Sequence, residues 1–248
     1  MQLVFEALKI DKIPQRSRAR LWFVLLLGFA AALFYTAPAD VAMELFRTQI
    51  HAFLESKGPF PLPPPEWFSM LWRNVALVVV ALFFIILYAV HWLTAQSDAS
   101  SDANAATRRA LKAFPRCFVF ALAMVFPYLL SLPIMQLPFY VLASMFSMVF
   151  MLVAMDQKRL PEAMGESASM TYGMKFFIFI SFVMLRALMR LGSNLLLLPF
   201  SKSVSVGSLV RGFFYALQTL AYGRLLGILY RALTMNEGLF PTRALDDL

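Results

Sequence analysis

Residues 117–155 read CFVFALAMVFPYLLSLPIMQLPFYVLASMFSMVFMLVAM, 39 positions without one Asp, Glu, Lys, Arg or His. A single helix of that length, at about 1.5 Å per residue, would reach roughly 58 Å, about twice a bilayer's hydrocarbon core of about 30 Å. Near the middle lies Leu132-Pro133-Ile134-Met135-Gln136-Leu137-Pro138, where two prolines and a glutamine can turn the chain. The stretch therefore predicts a transmembrane helical hairpin with arms over 114–132 and 138–155. An integral membrane protein follows.

The rest of the composition agrees. The chain has 248 residues, 60% hydrophobic and 15% charged, against about 25% charged in soluble domains. That length suits one polytopic membrane domain. The net charge of +8 is what cytoplasmic loops rich in Lys and Arg supply, so nucleic acid is not the expected partner. Cys117 is the only cysteine, which removes any intrachain disulfide or cysteine-based zinc site.

Outward from the hairpin, an all-α polytopic bundle of about six spans is expected. The spans are 21–39, 68–93, 114–132, 138–155, 174–198 and 209–233, within one transmembrane domain over 21–235. Residues 1–20 form a basic, mildly amphipathic segment in which Leu3, Val4, Phe5, Leu8 and Ile13 alternate with Lys9, Lys12, Arg16, Arg18 and Arg20. A rival reading takes 1–39 as a secretory signal cleaved at Ala37-Pro38-Ala39. Residues 40–57 can form an amphipathic helix, and Gly58-Pro59-Phe60-Pro61-Leu62-Pro63-Pro64-Pro65 breaks it with a polyproline-like spacer. Residues 95–112 read as a polar, mobile connection, and 236–248 as a polar tail.

Topology follows from the 22 lysines and arginines. Five lie in 1–20, four in 95–116, three in 156–175 and three from Arg224 onward; seven lie on the other side. The excess places both termini in the cytoplasm.

Candidate chemistry is sparse. His51 and His91 fall on opposite faces of the membrane, so no shared metal ion is expected. No His-x-x-x-His, Gly-x-Ser-x-Gly or phosphate-binding loop is present. Ser131, Ser144 and Ser181 lie in apolar helices, where hydrogen bonding to helix carbonyls is the ordinary role. No catalytic residue, cofactor or metal is therefore expected. The groups that require explanation are intramembrane cations. Arg186 and Arg190 sit four residues apart on one face of the fifth span, and Arg224 lies in the sixth near Gln218 and Tyr222. Neither span carries an acid to neutralise them. One reading is snorkelling or bonding to helix carbonyls. The other is a polar cavity in which Arg186, Arg190, Arg224 and Gln218 bind an anionic lipid head group or phosphorylated solute, since a guanidinium matches phosphate with two parallel hydrogen bonds.

A second motif lies at Pro161-Glu162-Ala163-Met164-Gly165-Glu166-Ser167 through Thr171-Tyr172-Gly173. Pro161 suits a first helical turn, Glu162 its positive end and Gly173 its termination, which predicts a short interfacial helix. Together with Leu137-Pro138-Phe139-Tyr140 and Tyr230-Arg231, this order of parts resembles a group of bacterial six-helix membrane proteins. The group includes the YciC-like proteins and the membrane domain fused to some glycerophosphodiester phosphodiesterases. The resemblance covers roughly 110–235 and rests on Leu137, Pro138, Tyr140, Pro161, Ala163, Ser167, Thr171, Gly173, Tyr230 and Arg231. It implies a fold more than an activity. Phe139, where glycine is common, and the long loop 40–67 depart from it.

The resulting expectation is a non-catalytic protein of the bacterial inner membrane, an accessory or scaffold component of an envelope assembly. Its partners would be membrane lipids, anionic ones included, and other membrane or envelope proteins. The alternative is a translocator of lipid or anionic solute that uses the arginine cluster.

Overall fold

The computed structural model describes residues 2–10, 16–36, 48–53, 55, 65–97, 103–131, 137–200 and 203–235. Of these, 92% are helical and none lies in a strand. The helices are α1 (Gln2–Leu8), α2 (Arg16–Tyr35), α3 (Pro65–Ser97), α4 (Ala103–Ala123), α5 (Val125–Ser131), α6 (Leu137–Met145), α7 (Val149–Met155), α8 (Leu160–Met170), α9 (Lys175–Leu197) and α10 (Val204–Met235). Residues 48–53 are also helical, within the amphipathic helix expected over 40–57. The cleavage motif at 37–39, the proline spacer up to Pro64, the hairpin tip 132–136 and the tail 236–248 lie outside the described residues.

Five stretches are long and apolar enough to cross a membrane: Ser17–Tyr35, Trp67–Gln96, Ala103–Ser131, Pro138–Met155 and Lys175–Phe200. They match the first five expected spans, with two corrections. The first helix starts at Arg16, because the basic residues before Leu21 continue the helix instead of preceding it. The third starts at Ala103, so most of the connection expected over 95–112 is ordered helix. Its cause is a small-residue stripe. Ala103, Ala106, Ala110, Ala113 and Cys117 recur every three or four positions and are buried, which lets α4 lie close against its neighbours.

A helix, α10, 32 residues long, covers the sixth expected span, but it is not among the stretches apolar enough to cross a membrane. Arg211, Gln218, Thr219, Arg224 and Arg231 interrupt it. Its position in the bundle accommodates them, because α1, α2, α3 and α9 all pack on α10. Contact there is at backbone distance. A Cβ on Gly223 would fall 2.8 Å from the Ile85 carbonyl oxygen, and one on Gly212 would fall 3.0 Å from the Ala31 nitrogen. Glycine at these positions is what permits the approach.

The charge-free hairpin folds back on itself as expected. Tyr128 meets Phe139 at 5.1 Å between ring centroids, and Phe120 meets Phe150 at 5.6 Å. Its second arm is broken, however, at Phe146-Ser147-Met148, between α6 and α7. The break leaves backbone groups that lipid cannot satisfy, and α8 repairs it. The Ser167 hydroxyl donates to the Met145 carbonyl at 2.8 Å and accepts the Met148 N–H at 3.2 Å. The Thr171 hydroxyl donates to the Ser167 and Met145 carbonyls at 2.8 and 3.1 Å. Both side chains are fully buried.

The helix α8 itself forms for the expected reasons. Pro161 and Glu162 occupy its first turn, and Gly173, at φ +80°, takes the left-handed backbone just past its end. Ahead of it, Asp156 accepts a hydrogen bond from Tyr230 at 2.9 Å. Lys158 pairs with Glu166, and that hydrogen bond raises the Lys158 ammonium above its ordinary pKa.

Ser167→Ala should lower the unfolding free energy by about 1–3 kcal/mol in mixed-micelle denaturation, because the Met148 N–H loses its acceptor. Ser169→Ala, whose hydroxyl is exposed and bonds only the Glu166 carbonyl, should change it by less than about 0.5 kcal/mol.

Candidate functional site: an arginine-bearing seam

The four residues expected to form one anionic-ligand site separate into two places. Helix α9 packs antiparallel on α10, with Phe182 against Tyr222 at 5.6 Å and Gly192 under the Phe214 ring. Its buried face carries Ile178, Ser181, Leu185 and Met189. Arg186 and Arg190, one turn apart, lie on the exposed flank. Arg186 stands about 17 Å from the start of the span at about 1.5 Å per residue, near its middle.

Across the seam, the Gln218 amide donates to the Tyr222 hydroxyl at 3.1 Å on α10. Gln218 and Tyr222 are thus paired with each other, while Arg186 and Arg190 lie on the exposed flank of α9. Among the described residues, neither arginine has an ion pair or a hydrogen bond. Chemically, guanidinium and amide N–H groups and a phenolic O–H are donors that suit an oxyanion or a carboxylate.

Arg224 is elsewhere. It follows Tyr222 by two residues, about 200° around the helix, and so points away from the seam. It is buried. Its Nη1 donates to the Lys9 carbonyl, its Nη2 lies 3.8 Å from Glu6 Oε2, and its guanidinium carbon lies 6.0 Å from the centre of the Trp92 ring. The acid missing from the spans is thus supplied by α1, whose buried face is Leu3, Val4 and Ala7. Phe5, between these residues in sequence, is exposed. Just past the end of α1, the Lys9 and Ile10 carbonyls meet Arg224 and the Tyr88 hydroxyl, the latter at 3.0 Å. A cation and a hydroxyl at a helix C-terminus satisfy groups that would otherwise be orphaned. Glu6 could be noticed in the sequence as an acid inside a basic segment, but nothing local connects it to Arg224.

Other candidate groups are used structurally. His91 pairs with the Thr107 hydroxyl at 3.0 Å and stacks edgewise on Trp22 at 4.9 Å. The Ser131, Ser144 and Ser181 hydroxyls each donate at 2.8 Å to a carbonyl of the preceding turn. Of the motif residues, Leu137 and Pro138 open α6, and Tyr140 stacks on Phe179 at 5.2 Å. Ala163 is fully buried, Tyr230 holds Asp156 and Arg231 donates to Gln96. Among the described residues, no three His, Cys, Asp or Glu side chains are grouped to hold a metal ion. No protein family, no curated protein and no solved structure matches the chain.

Arg224→Leu should free α1 from the bundle. Hydrogen exchange of residues 3–10 should then rise at least about tenfold, with α6 and α7 unchanged. Glu6→Gln, which leaves the Lys9 carbonyl bond in place, should give a smaller rise.

Proposed function

We propose that the protein is a non-catalytic component of an envelope assembly in the bacterial inner membrane, docking to a membrane partner through the Arg186 and Arg190 flank of α9. The observation that carries this reading is the exposure of both arginines, unpaired among the described residues, near the middle of an apolar span. An arginine at a span's centre costs on the order of 2.5–3.5 kcal/mol on insertion scales. A carboxylate on a neighbouring helix offsets that cost and selects the partner. The outward apolar side chains Leu188, Leu191 and Leu195 on the same helix supply packing area beside the charges.

Six spans with both termini in the cytoplasm form the topology of this proposal. Support comes from cross-contacts at one end of the bundle: Arg18 with Asn104 at 3.5 Å, Arg231 with Gln96, Tyr230 with Asp156, and Arg224 with Lys9. These join the four segments that are richest in Lys and Arg. α10, about 48 Å long at about 1.5 Å per residue, is long enough to cross beside the others. The YciC-like resemblance belongs to the same proposal, since Ser167 and Thr171 of its motif are the groups that close the α6–α7 break.

A second reading, translocation of lipid or anionic solute, is favoured by Arg186 near mid-span on α9, the helix that packs on the Gln218–Tyr222 pair of α10. A photo-crosslinking residue at position 190 separates the two. A discrete protein adduct in native membranes, absent when the probe sits at Leu129 on the hairpin, is the expected result. Arg186→Ala/Arg190→Ala should abolish co-purification of that protein at unchanged abundance. Adducts to lipid alone would favour translocation instead.

A further inference from the structure

The exposed face of α4 carries a feature that neither the seam nor the bundle core uses. Arg108, Arg109, Lys112 and Arg116 are all exposed. At 100° per residue they fall within an arc of about 100° and spread over about 12 Å of the axis. The alanine stripe that buries α4 lies on the opposite side of the helix. Residues 103–131 contain no acidic residue, and among the described residues none of the four cations has an ion pair or a hydrogen bond.

What lies along the helix from this stripe indicates its occupant. The span Ala103–Ser131 has 29 residues, and about 20 suffice to cross the hydrocarbon core. With Ser131 at the far side, Arg108 and Arg109 stand in the head-group layer, and Lys112 and Arg116 reach back toward it by snorkelling. On the same face, about one turn further in, Val119 is 57% exposed, and Leu122, flanking it one turn later, is 61% exposed. The face is therefore cationic where a head group sits and apolar where acyl chains sit. A soluble acidic partner would match the first half and not the second.

We propose that this face of α4 is a binding site for an anionic phospholipid, with Arg108, Arg109, Lys112 and Arg116 holding the head-group phosphate and Val119 and Leu122 lying along the chains. Arginine dominates the set, and its planar fork donates paired hydrogen bonds to phosphate. Neighbouring cations of the stripe lie about one turn apart or less, about 6 Å along the axis, which is within a Debye length of about 8 Å at physiological salt. The site is distinct from the α9 flank and does not rest on its function.

The test uses the full-length protein reconstituted in vesicles of equal parts phosphatidylglycerol and phosphatidylcholine. Protein is extracted in mild detergent, and retained lipids are counted by mass spectrometry. Wild type should retain phosphatidylglycerol at least about tenfold over phosphatidylcholine. Extraction at about 1 M instead of about 0.1 M salt should cut that enrichment at least about threefold, as screening shortens the Debye length from about 10 to about 3 Å. Arg108→Gln/Arg109→Gln/Lys112→Gln/Arg116→Gln should fall to within about twofold of the vesicle ratio, with its helical circular dichroism intact. Arg108→Lys/Arg109→Lys/Arg116→Lys, which keeps the charge, should stay enriched at least about fivefold. It decides the matter if the glutamine variant does not fold. Arg186→Gln/Arg190→Gln should behave as wild type. Enrichment that survives in the glutamine variant, or is lost in the lysine or α9 variants, overturns the assignment.

Discussion

The bundle depends on how closely α10 approaches α2 and α3. Within lipid, burying apolar surface gains little, because acyl chains are as apolar as leucine; packing and hydrogen bonds must hold the helices together. Gly212 and Gly223 remove side-chain volume where α10 meets the backbones of α2 and α3, and dispersion contacts gain from the reduced distance. The Tyr215 hydroxyl bonds the Leu77 carbonyl across the same interface. Where α10 is enclosed, its polar residues are kept from lipid, and the fold can carry Thr219 and Arg224 in its interior.

The same constraint governs the backbone. A break in a lipid-embedded helix is tolerated only where other protein groups satisfy the freed N–H and C=O groups. Ser167 and Thr171 do this for the α6–α7 break from a helix outside the hairpin, so the short interfacial α8 is part of the membrane fold and not an appendage. Asp156–Tyr230 and Lys158–Glu166 then hold the approach to α8. A motif of small hydroxyl residues at this position therefore has a structural origin.

Hydropathy and charge made the hairpin, the long helices and the interfacial helix legible, because each depends on residues close in sequence. The helix over 103–112 was not recognised, because its small and polar composition resembled a mobile loop although Ala103, Ala106 and Ala110 keep a helical spacing. The break at Phe146-Ser147-Met148 was not legible either. No glycine or proline marks it, and its partners lie about twenty residues away. Nor could Glu6 be assigned to Arg224, since only the folding-back of α1 brings them together. Local pattern predicts elements; it does not predict which distant acid or hydroxyl satisfies a buried group.

That distinction separates the arginines of this chain. Arg224 is buried, and three features of its surroundings compensate it: a carbonyl, a carboxylate and an aromatic ring. Arg231 is tied to Gln96 at the end where the basic segments meet. Arg186 and Arg190 also lie within a long helix, an apolar span, yet they are exposed. A cation that the fold needed would be enclosed as Arg224 is. One that served only topology would sit at a helix end, where water is close. Residues near mid-span on an exposed flank meet neither description, and that is the physical ground on which the proposed interface with another molecule rests.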